Sequence, residues 1–144
     1  IVRGPRDNVD IVKRVVGVAG DTVEVRDGII VRNGQAVDRV DRGECEAGTR
    51  MDVYDGDPCV WMAESIGEHT YLTSQSAIGG QPSAPPTVVP DGHVYVMGDH
   101  RDRSNDSRRF GPVSVARVKG RALFIYWSNG EGAVRFGRLG HAIE

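Results

Sequence analysis

Turns set the terms for this chain. Between Gly20 and Val37 the sequence GDTVEVRDGIIVRNGQAV places Gly20-Asp21, Asp27-Gly28 and Asn33-Gly34 around runs of only four or five residues. Asp-Gly and Asn-Gly favour the positive φ values that two-residue hairpins need. Thr22 to Arg26 alternates apolar and polar side chains strictly, as a half-buried strand does. A chain punctuated this closely leaves no room for long helices there. The total of 19 Gly and 7 Pro in 144 residues extends that reading to the whole molecule. The expected fold is mostly β, built of short antiparallel strands and hairpins with little helix, in a single domain.

Further strands are expected at Asp10 to Val18 (DIVKRVVGV), which with the segments above makes the first 40 residues a meander. Val60 to Glu64 and Thr70 to Ser74 read as a hairpin, and His93 to Met97 as a strand entering Gly98-Asp99. Ser76 to Pro86 reads as a Gly/Pro/Ser loop without a core signature. Gly120 to Trp127 (GRALFIYW) reads as the most buried strand, paired with Ala133 to Phe136 across Asn129-Gly130.

Composition narrows the function. Hydrophobic residues at 39% and charged residues at 26% exclude wholesale disorder. A net charge of −2 argues against a nucleic-acid platform. No apolar run approaches the roughly 20 residues of a membrane span. The chain opens on Ile1 inside a strand-like stretch, without a charged-then-apolar leader, and is read as part of a longer protein. Cys45 and Cys59 stand 14 positions apart, outside any Cys-x-x-Cys pair. A disulfide there would contribute roughly 3 kcal/mol and suit an oxidising compartment; two reduced thiols are the alternative.

Chemistry concentrates in two places. Lys13 and Lys119 are the only lysines, every other basic side chain being arginine, which does not give up its proton. Lys13 is flanked by Ile11, Val12, Val15 and Val16, surroundings that disfavour an ammonium and suit a general base of the Ser-Lys kind. The competing reading is a strand lysine that snorkels to solvent. The second place is Gly98 to Arg109 (GDHRDRSNDSRR), a polar turn between two strands in which Asp and Arg alternate closely enough to satisfy one another in a rigid network. Asp102, Ser104 and Asp106 match the first ligand spacings of a calcium loop, but Ser107 and Val113 stand where its glycine and bidentate glutamate belong. The four histidines form no metal or triad spacing, and Gly17 to Gly20 lacks the helix of a phosphate loop. No cofactor is expected.

Together, the run Lys13-Arg14-Val15-Val16-Gly17-Val18-Ala19-Gly20-Asp21 and the run Gly98 to Arg108 resemble two signature boxes of the bacterial type I signal peptidases, K-R-x-x-G-x-x-G-D and G-D-N-R-D-N-S-x-D-S-R. Phe110 to Val113, Gly120 to Ala122 and Trp127 are similar to the family's continuation. The resemblance implies a core over about 1–40 and 91–144 with a variable insertion over about 41–90. It implies Lys13 as the general base of a Ser/Lys dyad and Ser104 as the group orienting its amine. Asp106 and Arg108 would form a supporting ion pair, Asp99 would pair with Arg14, and Val12 would line shallow pockets for small substrate side chains. It further implies preprotein signal peptides as substrates and a membrane-anchored protein with its catalytic domain on the extracytoplasmic face.

The sequence departs from the pattern at His100 and Arg103, where the family commonly carries Asn. The family's nucleophile is a serine in a Ser-Met-x-Pro box upstream of the lysine, whereas the first serine here is Ser65 and none of the eight is followed by Met. These 144 residues are therefore expected to be inactive alone. Two other readings use the same residues: a peptide-binding pseudo-peptidase of the same fold, and a self-cleaving Ser/Lys peptidase of the SOS-repressor type.

Overall fold

The computed structural model describes residues 1–45, 58–78, 82–126, 129–130, 133–134 and 136–143. The N-terminal strands are β1 (Val2–Arg3), β2 (Asp10–Ile11), β3 (Arg14–Val18), β4 (Thr22–Arg26), β5 (Ile29–Arg32) and β6 (Gln35–Ala36). Both expected hairpin turns form: Asp27 and Gly28 have φ of 48° and 78°, Asn33 and Gly34 of 53° and 80°. They join β4, β5 and β6 into an antiparallel sheet in which Val25 faces Ile30 and Val31 faces Ala36. The expected meander stops there. β3 does not pair with β4; it crosses to β11 (His93–Met97), because Gly20 and Asp21 turn the chain out of the sheet. Asp21 holds that corner, accepting from the Val18 amide at 2.9 Å and from Asn33 Nδ2 at 2.7 Å.

The middle of the chain supplies a separate three-stranded sheet, β7 (Asp38–Glu44), β8 (Cys59–Ile66) and β9 (His69–Ser76). The hairpin expected at residues 60–74 is the β8–β9 pair, in register from Cys59 opposite Ser76 to Ile66 opposite His69. Cys45 and Cys59 form a disulfide with Cα atoms 5.3 Å apart, closing the base of this sheet.

Three expectations are corrected. Residues 76–86 are not a loop without core contacts: β10 (Ala84–Val88) pairs with β4, and Ala84 is buried. Its prolines are accommodated because β10 is an edge strand with an irregular register between Ala84 and Thr87, where a missing N–H costs no ladder bond. Residues 120–126 are not a buried strand: Leu123, Phe124 and Tyr126 are exposed, and the segment pairs instead with residues 140–143, through a bridge from Phe124 to Ala142 and backbone bonds at Leu123 and Ile125. Among the described residues, none of this segment pairs with Ala133, Val134 or Phe136. After α1 (Ser107–Phe110) and β12 (Val113–Ser114), the small pair β13 (Asn129–Gly130) and β14 (Ala133–Val134) closes on itself. Trp127 lies outside the described residues.

β11 explains the layering. Its two faces are both buried, as a continuous apolar run requires. Tyr95 and Met97 join Val16, Val23, Val25, Ile30, Ala84 and Val89 in the larger core, between the β3 and β4 sheets. Val94 and Val96 join Val2 and Val113 in a smaller one. At Gly17 the two sheets approach closely: a Cβ there would lie 2.5 Å from a Val23 methyl and 3.4 Å from the Tyr95 Cβ. The first glycine of the lysine box is thus a packing residue. Gly17→Ala is expected to destabilise the protein by about 1–3 kcal/mol through overpacking, read as a lower urea midpoint at unchanged m-value.

Candidate active site

Asp10 to Val18 is interrupted between β2 and β3, so Val12 and Lys13 leave the ladder at the point where β11 runs into Gly98. That break brings the two polar segments together. Lys13 Nζ donates to Ser104 Oγ at 2.8 Å. Arg14, on the first residue of β3, forms a two-pronged pair with Asp99, Nε to Oδ1 at 2.9 Å and Nη2 to Oδ2 at 3.0 Å. Its guanidinium also lies 3.9 Å over the Tyr71 ring. Asp106 and Arg108 pair through Nε to Oδ1 at 2.8 Å and Nη2 to Oδ2 at 2.7 Å. All six of these polar side chains, which the family resemblance had named together, lie close to one another. Val12 stands beside Lys13 with 71% of its surface exposed.

The turn after β11 is shaped by small residues and by one buried carboxylate. Asp106 Oδ2 accepts the Gly98 amide at 3.0 Å, and the same side chain caps α1 by accepting from the Arg108 amide. Ser107 Oγ accepts the Val96 amide at 2.9 Å. Ser104 lies directly against the α-carbon of Gly98: any Cβ at 98 would collide with Ser104 Oγ and approach Lys13 Nζ to 3.2 Å. Gly98 is thus needed for its absent side chain.

The electrostatics oppose an ordinary lysine. Burial penalises the Lys13 ammonium most; Asp106 and Asp99 favour it, Arg108 opposes it, and the balance holds its pKa below 10.5. For Asp106, burial raises the pKa, but the hydrogen bonds from Arg108 and Gly98 outweigh it and the carboxyl sits below its usual range. Lys119 is different in kind: it is exposed and paired with Asp10 at 2.5 Å.

One residue that the sequence reading passed over, Glu64, joins the group through Arg101. Arg101 is fully buried and Glu64, on β8, nearly so; they form an ion pair. Alternating charge had marked Arg101 as part of a network, but nothing in sequence tied it to a glutamate 37 positions earlier. His100 Nε2 lies 3.1 Å from Asp102 Oδ1, and Asp102 Oδ2 accepts the Ser76 amide at 2.9 Å. Burial, chiefly, lowers the His100 pKa. Lys13 and Val12 form the wall between two depressions. One, of about 870 Å³, extends over Val15, Ile66, Tyr71 and Ala122; the other, of about 370 Å³, lies between Pro5, Gly98, Ser104 and Phe110.

The sequence profile of the family described as signal peptidase, peptidase S26, matches residues 1–127. The chain belongs to the signal peptidase family. Signal peptidase IB of Staphylococcus aureus strain Mu50 is 32% identical over 122 residues, 83% of this chain and 54% of that protein. Signal peptidase I of Bacillus licheniformis is 33% identical over 128 residues, 88% and 56% respectively. The chain spans about half the length of these relatives. A solved signal peptidase I from Enterococcus faecalis V583 aligns over 83% of this chain and 87% of its own, at 26% identity and a TM-score of 0.49.

Replacing Asp106 by Asn leaves Arg108 buried without its counter-charge, a loss of about 3 kcal/mol at pH 7. A carboxyl held below its unfolded pKa of 3.8 stabilises the fold above that pH and loses the contribution as pH falls through the lower folded value. The stability gap between wild type and Asp106→Asn, followed by urea unfolding at several pH values, is therefore expected to close below pH 3.8.

Proposed function

We propose that the protein to which this chain belongs is a type I signal peptidase, which removes N-terminal signal peptides from exported preproteins at the extracytoplasmic face of a bacterial membrane. The observation that carries the reading is Lys13: an amine held by Ser104, inside a group of ion pairs, with its charged form disfavoured by burial.

In this reading Lys13 is the general base. Its neutral Nζ takes the proton from a serine Oγ as that oxygen adds to the scissile carbonyl carbon. The C–N bond then breaks, Nζ returns the proton to the leaving amine, and an acyl-enzyme remains. Water activated by the same amine hydrolyses the ester. Ser104 serves as the orienting group, since its Oγ is pinned against Gly98 and bonded to the amine. The nucleophile is assigned to a serine N-terminal to Ile1, together with the membrane anchor. An extended substrate would lie along the open edge of β3, with Val12 contributing to pockets for small side chains.

The test uses the full-length protein and a signal-peptide substrate. Lys13→Ala is expected to lose activity at least about 10⁴-fold, and Lys13→Arg equally, because a guanidinium does not accept the proton. Undiminished cleavage in either variant overturns the reading. The wild-type profile of kcat/KM is expected to rise with pH through a limb positioned below 10.5, since only the neutral amine is active and burial lowers its pKa.

A further inference from the structure

We propose that Glu64, on β8 of the middle sheet, is a positioning residue for the reaction, holding Lys13 in its working geometry through Arg101 and the Gly98 backbone. This rests on the reading of Lys13 as the general base.

Glu64 sits almost wholly out of solvent, and both its carboxylate oxygens are engaged. Arg101 donates Nε to Oε1 at 3.1 Å and its Nη2 to Oε2. Thr73 Oγ1 donates to Oε1 at 3.2 Å, and Tyr71 Oη to Oε2 at 3.4 Å. Arg39, on β7, approaches Oε1 at 3.6 Å. A carboxylate this buried survives only with such partners, and a buried pair is weak evidence for a gain in stability. What the pair does instead is fix Arg101, a side chain with no freedom left. From there Arg101 Nη1 reaches the Gly98 carbonyl at 3.4 Å, while its own carbonyl accepts from Arg108 Nη1 and its amide donates to the Ser74 carbonyl at 2.8 Å. Ser74 in turn takes its backbone N–H to the Asp99 carbonyl at 2.8 Å.

Gly98 is thus held from two sides, by Arg101 at its carbonyl and by Asp106 at its amide. It is also the residue against which Ser104 Oγ and Lys13 Nζ are packed, with no room for one extra carbon. A second arm runs through Tyr71, which stacks on the Arg14 guanidinium next to Lys13. Both arms leave from neighbouring strands of one hairpin. Among the described residues no hydrogen bond or ion pair joins Glu64 to Lys13; the contacts between them run through Arg101 and the Gly98 backbone. The influence of Glu64 on the amine therefore travels through position.

That distinction gives the experiment its sign. Competitive acetylation at a series of pH values, read by peptide mass spectrometry on the peptide that carries each residue, follows the Lys13 amine with Lys119, the other lysine of these 144 residues, as internal standard. It is run on the full-length protein and does not depend on catalysis. Removing a nearby anion by direct electrostatics would lower a lysine's pKa or leave it alone. Loosening Gly98 admits water and raises it. In Glu64→Gln the Lys13 profile, read against the Lys119 standard, is expected to move up towards 10.5, and kcat is expected to fall by about 100-fold with KM nearly unchanged. Should Glu64→Gln fail to fold, the double variant Glu64→Leu/Arg101→Met exchanges the pair for apolar side chains of similar volume, which buried pairs tolerate. It is expected to fold and to show the same upward shift. A folded variant of either kind with an unchanged or lowered Lys13 profile overturns the proposal. If the profile shifts but Lys13→Ala still cleaves signal peptides, the assignment of Lys13 as base has failed while the link from Glu64 stands.

Discussion

The Asp106 carboxylate is buried, and it stays charged by accepting at both oxygens from groups that define the surrounding turn. Arg108 supplies the counter-charge, the α1 backbone supplies a cap, and the Gly98 amide fixes the end of β11. Each of these contacts sets a different part of the site. Without the Gly98 contact, Ser104 would have no rigid surface to lie against. Without Arg108, the backbone at Arg101 would lose a donor. The turn is therefore a small polar core with the same demands as an apolar one: every group must be matched, and a partly matched network is worse than none.

Much of this was legible because its parts are local. The hairpins at Asp27-Gly28 and Asn33-Gly34 follow from residues that tolerate positive φ. The alternation of Thr22 to Arg26 gave its buried face directly, Val23 and Val25. At the site, the resemblance to two family boxes brought Lys13, Arg14, Asp99, Ser104, Asp106 and Arg108 into one reading, and these residues do lie together. The box pattern does not separate packing from chemistry. Gly17 is a contact between sheets and Asp21 a corner brace, while Gly98 is a surface for the amine's partner.

What sequence reading missed is long-range or runs against composition. Gly120 to Trp127 looks apolar enough to be core, yet the β3 and β4 sheets are already filled by Val16, Val23, Ile30 and Tyr95, and Leu123, Phe124 and Tyr126 face outward. Residues 84–88 look like a loop because of Pro85 and Pro86, although Ala84 enters the core. Glu64 looks like an ordinary polar position of a half-buried strand. Its burial depends on Arg101, and no local rule connects β8 to a turn so far along the chain.

The prolines of β10 have a consequence for which chains this molecule can recruit. An extended peptide joins a sheet by trading backbone hydrogen bonds with an unpaired edge, and proline withholds the donor that trade requires. Pro85 and Pro86 make the outer side of the β4 sheet a poor template, and β6 at its far side is only two residues long. The outer side of β3 carries no proline, presents Val15 and Val18 to solvent, and ends at Lys13. Among the described sheet borders around the main core, hospitality to a foreign strand is thus graded, and it is greatest where the chemistry waits.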